Sequence, residues 1–136
     1  MMMCRELAHI DSVAQTVLSH ISRGVLILQG DLAAGKTTLV KAIAKALGLG
    51  ESVTSPTFSV QQNYANRLYH YDIYNQGLEQ FMAMGLFEEL ERDALHCIEW
   101  GDARLQNLLE RAGIAVEVLY ITKEPNRRCY RMGEDA

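Results

Sequence analysis

Apolar residues recur along the chain with two different spacings, which together predict a sheet flanked by helices. An apolar residue at every third or fourth position predicts helices over residues 6–21, 38–47, 78–91 and 103–111. Short apolar or alternating runs predict strands over residues 25–28, 58–64, 67–74, 95–100 and 114–121, with residues 127–131 pairing against the last of them. Only Ala65 and Asn66 separate 58–64 from 67–74, which predicts an antiparallel hairpin. The order predicts an α/β fold with a mixed parallel/antiparallel sheet and helices on both faces.

The connection between strand 25–28 and helix 38–47 contains the most specific pattern in the chain. Residues 30–38 read Gly-Asp-Leu-Ala-Ala-Gly-Lys-Thr-Thr and match the phosphate-binding P-loop pattern G-x-x-x-x-G-K-[ST] at every fixed position. In such a loop the backbone N–H groups and the helix N-terminus form a cradle for phosphate. We expect Lys36 to reach the β- and γ-phosphates and the Thr37 hydroxyl to hold Mg²⁺. The predicted nucleotide-binding residues are Gly30, Asp31, Leu32, Ala33, Ala34, Gly35, Lys36, Thr37 and Thr38.

Two carboxylates stand at the ends of predicted strands, where a parallel sheet meets its ligand. Asp72 lies near the end of strand 67–74, and Glu99 near the end of strand 95–100. Hydrolysis needs a carboxylate on the metal side and a group that positions water, and the residues leave open which of the two does which. Trp100 either contacts nucleotide or a partner, or packs. His70 is interpreted as a structural histidine, because no third metal ligand follows it.

A hydroxyl-rich loop follows the P-loop helix, and it has two interpretations. Thr54, Ser55 and Thr57 surround Pro56, which extends the backbone before it. In nucleotide switches a loop at this place senses the γ-phosphate and Mg²⁺. Serine and threonine also favour ordinary turns, so both interpretations stay open.

Composition narrows the class of protein further. The chain has 136 residues, of which 49% are apolar and 22% charged, and we expect residues 1–136 to form a single domain. The net charge of −4 argues against a nucleic-acid binder driven by bulk electrostatics. The basic residues Lys123, Arg127, Arg128 and Arg131 have two interpretations, contact with RNA or a partner and, as the favoured one, protection of an edge strand.

The cysteine pattern and the lack of long apolar runs predict the compartment. Cys4, Cys97 and Cys129 are odd in number and widely spaced, which indicates neither a disulfide framework nor a zinc site. This favours a reducing cytoplasm. No apolar run approaches the roughly 18 residues of a membrane span, so we expect a cytoplasmic protein without a membrane partner.

Four motifs in this order resemble those of the TsaE (YjeE) family, the P-loop ATPases of bacterial tRNA threonylcarbamoyladenosine biosynthesis. The P-loop run 30–38 is followed by Ser-Pro-Thr-Phe at 55–58, by His-Tyr-Asp-Ile-Tyr at 70–74, which matches H-x-D-x-Y, and by Glu99-Trp100. The resemblance covers nearly the whole chain. It departs from the family at Ala33, where glycine is common, at Asn75, where arginine is usual, and at 101–102, where Gly-Asp replaces Pro-Glu.

The resemblance implies a P-loop NTPase fold, and ATP and Mg²⁺ as the ligands. It implies that Lys36, Asp72 and Glu99 are catalytic. It implies a switch-like loop at 54–57, and Trp100 near the nucleotide. The implied Mg²⁺ ligands are Thr37, Asp72, Glu99 and Thr57.

The resemblance also implies a place in an assembly. The family works with a threonylcarbamoyl-transferase subunit (TsaD) and its inactive paralogue (TsaB), and it is thought to use ATP to reset that complex between rounds. We therefore expect a TsaB–TsaD-like heterodimer as partner, contact with tRNA only through the complex, and no DNA.

Three other functions compete with this interpretation. A small-molecule kinase needs arginines to hold its acceptor, and only Arg67 and Arg92 lie between the P-loop and Trp100. A small GTPase reads guanine with T-K-x-D, which Thr-Lys-Glu at 122–124 resembles without the aspartate. A nucleotide-gated binding module without turnover stays open, although Glu99 argues against it.

Overall fold

One mixed sheet forms the centre of the computed structural model, which describes residues 1–31, 34–75 and 77–133. Its strands are β1 (Met2–Arg5), β2 (Gly24–Gln29), β3 (Val53–Thr54), β4 (Gln61–Tyr64), β5 (Leu68–Asp72), β6 (Leu95–Glu99), β7 (Val116–Glu124) and β8 (Arg127–Met132). They lie in the order β1-β8-β7-β2-β6-β5-β4-β3. The four central strands β7, β2, β6 and β5 are parallel, and the outer pairs are antiparallel.

Helices cover both faces of this sheet, as the sequence predicts. They are α1 (Ile10–His20), α2 (Lys36–Ala46), α3 (Gly77–Ala83), α4 (Leu86–Glu89) and α5 (Ala103–Arg111), and a short 3-10 turn, Leu7–His9, precedes α1. Helices α1 and α2 share a core with Leu26 and Leu28 of β2. Helices α3, α4 and α5 pack on the opposite face with Val25 and Ile27 of the same strand. Because β2 is buried on both faces, its sequence is a continuous apolar run.

Several predicted elements are shorter or more divided than their apolar patterns suggest, two of them markedly. The helix predicted over 78–91 is broken, because Gly85 takes a left-handed conformation at φ 76° and separates α3 from α4. The strand predicted over 58–64 begins only at Gln61. The hairpin at Ala65 and Asn66 is confirmed, and both residues have positive φ, 55° and 59°.

The N-terminal strand β1 corrects two sequence interpretations at once. It pairs with β8, so β8 is not an edge strand and its basic residues do not guard an edge. Its register places Cys4 directly opposite Cys129, and the two sulfurs form a disulfide. The expectation of no disulfide was wrong, because a spacing of 125 residues gives no local sign that two strands meet. Cys97 is a buried free thiol.

The described helices include none with the length and apolarity that a membrane span requires.

Candidate functional site

A cavity of about 510 Å³ opens at the carboxyl ends of the parallel strands. The P-loop follows β2, and the register pairs Leu28 with Glu99 and Glu99 with Asp72, so three adjacent strand ends meet at this edge. The described lining residues are Gly35, Lys36, Thr37, Thr38, Ser59, Val60, Gln62, Asp72, Tyr74, Asn75, Glu99 and Trp100. The fold therefore brings the predicted lysine, threonines, carboxylates and tryptophan to one place.

The P-loop backbone depends on close approach to the neighbouring strand. A Cβ on Gly30 would lie 2.7 Å from the carbonyl oxygen of Ile121 in β7, so no larger residue fits without displacement. Gly35, at φ 107°, turns the chain into α2 in a conformation that other residues rarely adopt. The motif therefore needs glycine at both fixed positions, at Gly30 because no Cβ fits and at Gly35 because of its backbone conformation. Leu32 and Ala33, also predicted to bind nucleotide, lie outside the described residues.

Lys36 is buried and is held by its own loop. Its Nζ donates to the carbonyl oxygens of Gly30 at 2.7 Å and Asp31 at 2.9 Å. The same atom lies 4.0 Å from the centre of the Trp100 ring, within cation–π distance. Burial lowers the pKa of Lys36, and the carboxylates of Glu99, Asp72 and Asp31 oppose that shift. The cavity therefore contains a partly desolvated ammonium group, which favours an anionic ligand.

Glu99 connects the P-loop helix to the sheet. Its Oε2 accepts a hydrogen bond from Thr37 Oγ1 at 2.8 Å and is in contact with His70 Nε2. Burial alone would raise the pKa of Glu99, but the hydrogen bonds from His70 and Thr37 and the charge of Lys36 bring it below its ordinary value. Glu99 is therefore a carboxylate at neutral pH despite being 3% exposed.

Asp72 has a different environment from Glu99. It is exposed at the cavity, and Oδ1 accepts a hydrogen bond from the Tyr74 backbone N–H at 3.1 Å. That contact fixes the turn after β5 and orients the carboxylate from one side. The two predicted acidic residues are thus neighbours in register, one buried against Thr37 and the other accessible to solvent.

Trp100 packs and lines the cavity at the same time. Its φ of 72° is unusual for a bulky residue, and its backbone N–H donates to Leu28 in β2 at 3.2 Å. The ring lies against Tyr74, with centroids 4.7 Å apart. Strain of this kind at a cavity accompanies function in many proteins. Contact between Trp100 and nucleotide stays a prediction.

Sequence reasoning missed two polar residues at the cavity, Ser59 and Gln62, and it included four residues that are not among the described lining residues: Gly30, Asp31, Ala34 and Thr57. Ser59, Gln62 and Asn75 line it, and Asn75 is the position where the family usually has arginine. A serine in a turn and an amide within strand β4 carry no distinctive spacing, so nothing in the sequence marks Ser59 and Gln62 as site residues. Thr57 is exposed and is not among the lining residues, and its backbone N–H donates to Ser55 Oγ at 3.2 Å. In the described chain the 55–58 segment is therefore an ordinary hydroxyl turn, and a Thr57–Mg²⁺ contact stays a prediction.

The residues that suggested competing functions lie away from this cavity. Arg92 pairs with Glu89 at 3.2 Å, and neither Arg92 nor Arg67 is among the described lining residues. The Thr-Lys-Glu run at 122–124 lies inside β7, with Glu124 paired to Arg127 at 2.8 Å. A run hydrogen-bonded within a sheet is not the base-reading loop of a GTPase.

Comparison with known proteins identifies the family. The model of the family described as threonylcarbamoyl adenosine biosynthesis protein TsaE matches residues 4–129. The chain belongs to the TsaE family. This confirms the resemblance of the four motifs, and the family is one named for threonylcarbamoyl adenosine biosynthesis.

Individual TsaE relatives match over most of the chain. The TsaE protein of Treponema pallidum is 44% identical over 89 residues, covering 63% of this chain and 66% of that protein. The TsaE protein of Bacillus subtilis is 35% identical over 114 residues, covering 76% of this chain and 72% of that protein. The TsaE protein of Haemophilus influenzae is 32% identical over 106 residues, covering 74% of this chain and 66% of that protein. The match thus spans about two thirds of the length of these relatives.

A solved structure supports the fold class. The crystal structure of Bacillus subtilis YdiB superposes with a TM-score of 0.65 at 24% identity, covering 100% of this chain and 86% of that one. The predicted α/β P-loop fold, with a mixed sheet flanked by helices, is confirmed.

Proposed function

We propose that this TsaE-family chain binds ATP with Mg²⁺ in the cavity and hydrolyses it. One observation carries the proposal: Lys36 and Thr37 at the start of α2 face the same cavity as the two strand-end carboxylates, and Thr37 Oγ1 is 2.8 Å from Glu99. A phosphate cradle next to a hydroxyl–carboxylate pair is the arrangement that phosphoryl transfer with a metal ion needs.

The residues present fit a nucleotide with its metal ion. The Lys36 ammonium is bonded to two loop carbonyls in the described state, and phosphate oxygens are stronger acceptors that can replace them. Bound Mg²⁺ would neutralise charge developing on the phosphates. Oxygen ligands suit it, and the Thr37 hydroxyl and the Glu99 carboxylate supply them side by side.

The geometry supports a division of roles between the two carboxylates. Glu99 is buried and bonded to the threonine of the P-loop, which favours the metal side of the site. Asp72 is exposed at the cavity and pairs in register with Glu99, which favours contact with the attacking water. We assign Glu99 to the cation and Asp72 to the orientation of water.

Family membership supports a proposal for the biological role. We propose that ATP turnover resets a TsaB–TsaD-like transferase heterodimer between rounds of tRNA threonylcarbamoyladenosine synthesis, and that tRNA contacts this chain only through the complex. Hydrolysis by the chain alone is then slow and is stimulated by the heterodimer.

The first test concerns the nucleotide site. Lys36→Ala should weaken Mg·ATP binding or abolish hydrolysis, because the variant lacks the buried ammonium group at the cavity. Lys41→Ala is a matched control, since Lys41 is an exposed lysine of the same helix. Binding is measured by titration calorimetry with ATP and with GTP, and turnover by phosphate release with and without the heterodimer.

Two results would contradict the proposal. If the Lys36→Ala variant binds and hydrolyses ATP as well as the Lys41→Ala variant does, the cavity at Lys36 is not the nucleotide site. Transfer of the γ-phosphate to an added metabolite rather than to water would favour the kinase, and tight ATP binding without release of phosphate under any condition would favour the binding module.

A further inference from the structure

His70 is a buried histidine that contacts the proposed site through Glu99. It is in β5, two residues before Asp72, and is 6% exposed. Its Nε2 contacts Glu99 Oε2, across 29 residues of sequence and between adjacent strands. An ionised carboxylate can only accept hydrogen bonds, so His70 Nε2 carries a hydrogen and donates a hydrogen bond to Glu99.

The oxygen that His70 contacts is already bonded to the P-loop helix. Glu99 Oε2 accepts from Thr37 Oγ1 of α2 as well as from His70 Nε2 of β5. Two donors from two different elements fix the rotation of the carboxylate. Within the described residues no donor contacts the other oxygen, Oε1, so it is the oxygen available to a cation or a water molecule.

We propose that His70 is a positioning residue, which holds the Glu99 carboxylate so that Oε2 stays on Thr37 and Oε1 stays free for the ligand. This rests on the proposed function. Without the imidazole, Oε2 keeps, among the described residues, the bond from Thr37, whose hydroxyl the metal ion would also engage. The carboxylate then rotates about its last torsion, and the cation loses a preorganised oxygen.

His96 shows what a purely structural histidine is like in the same sheet. It is fully buried in β6, with Nδ1 3.0 Å from the Tyr71 hydroxyl and Nε2 3.0 Å from the Arg92 carbonyl oxygen. Burial lowers its pKa. Both of its nitrogens have partners inside the protein, and His96 is not among the lining residues of the cavity. It is therefore a matched control for loss of a buried imidazole.

The experiment compares His70→Leu, His70→Gln and His96→Leu with the wild-type chain. His70→Leu should reduce ATP turnover by about 10- to 100-fold and raise the Mg²⁺ concentration needed for half-maximal rate, which is the usual effect of removing an outer partner of a metal ligand. ADP affinity without Mg²⁺ should be unchanged, because His70 is not among the residues that line the cavity. His70→Gln retains a donor of similar reach and should restore most of the rate.

A fourth comparison removes the carboxylate first. In a Glu99→Gln background, His70→Leu should cause no further loss, because the group it positions is gone. His70→Asn, whose amide is too short to reach Glu99, replaces His70→Leu if that variant does not fold by circular dichroism.

The outcomes separate this proposal from the one it rests on. Wild-type chain that binds no Mg·ATP would overturn both. If the wild-type chain binds and hydrolyses ATP, and the His70→Leu variant has the same rate and the same Mg²⁺ requirement, only the role of His70 is overturned. Equal losses of ATP turnover in His70→Leu and His96→Leu would also overturn the role of His70. So would a His70→Gln variant that does not recover turnover, since neither result fits a hydrogen-bond donor acting on Glu99.

Discussion

At the scale of the residue, Glu99 is the carboxylate on which the proposed site depends most. It is almost fully buried, yet hydrogen bonds from Thr37 and His70 and the charge of Lys36 hold its pKa below the ordinary value. A buried carboxylate that stays ionised stabilises a cation strongly, because little water screens it. Asp72, at the next strand end, is exposed, and its Oδ1 accepts a hydrogen bond from the backbone N–H of Tyr74.

Substitution of the two carboxylates should separate binding from chemistry. Glu99→Ala and Asp72→Ala should each keep nucleotide affinity without metal ion but reduce turnover by about 10²- to 10⁴-fold, because these groups act mainly in the transition state. Only Glu99→Ala should also raise the Mg²⁺ requirement. Phosphate release is measured as a function of Mg²⁺, with the exposed Glu91→Ala as control. A raised Mg²⁺ requirement in Asp72→Ala alone would reverse the assignment.

At the scale of the element, helices with local signals are predicted best. Helix α5 has the bounds that its sequence predicts, because Asp102 caps it by accepting from the Leu105 N–H at 3.0 Å. Strand β1 carries no such signal. It joins the sheet by pairing with β8, and the Cys4–Cys129 disulfide closes a separation of 125 residues.

That disulfide should contribute to stability. Cys4→Ser should lower the free energy of unfolding by about 2–4 kcal/mol, since a cross-link over a long separation restricts the unfolded chain. Wild-type chain treated with a dithiol reductant should match the variant in denaturant unfolding. Burial raises the pKa of Cys97 to about 12, so the oxidised native chain should have no reactive thiol. A midpoint that neither reduction nor Cys4→Ser changes would show that the cross-link does not stabilise the fold.

At the scale of the whole molecule, the charge distribution bears on the expected affinity for tRNA. The net charge is −4, and several exposed basic side chains are paired with carboxylates: Arg23 with Asp93 at 2.8 Å, Arg104 with Glu79 at 2.9 Å and Arg127 with Glu124 at 2.8 Å. The neighbouring carboxylates offset these positive charges, which weakens attraction to the phosphates of a nucleic acid.

We therefore expect the free chain to bind tRNA no more tightly than non-specific complexes, roughly 10⁻⁴ to 10⁻⁶ M at physiological salt. Binding to the TsaB–TsaD-like heterodimer should be tighter and should strengthen with ATP. Immobilised tRNA and immobilised heterodimer are compared with ATP, ADP and no nucleotide. Tight tRNA binding by the chain alone, or heterodimer binding indifferent to nucleotide, would instead favour an enzyme that acts on RNA directly.

Most of the fold and the centre of the site could be predicted because their signals are local. The P-loop joins consecutive strand and helix, so its pattern is complete within residues 30–38. The hairpin at Ala65 and Asn66 follows from the length of the connection alone. The break at Gly85 was missed, because an apolar pattern continues through it while the backbone conformation changes.

The sequence by itself determined the α/β class, the family, and the residue types of the site, because periodicity and motifs depend on neighbours in the chain. Only the tertiary structure decided which groups meet. Thr37 reaches Glu99 across 62 residues, His70 reaches it across 29, and Cys4 meets Cys129 across 125. These contacts follow from strand order and register, which depend on the packing of the whole sheet, so no single segment specifies them.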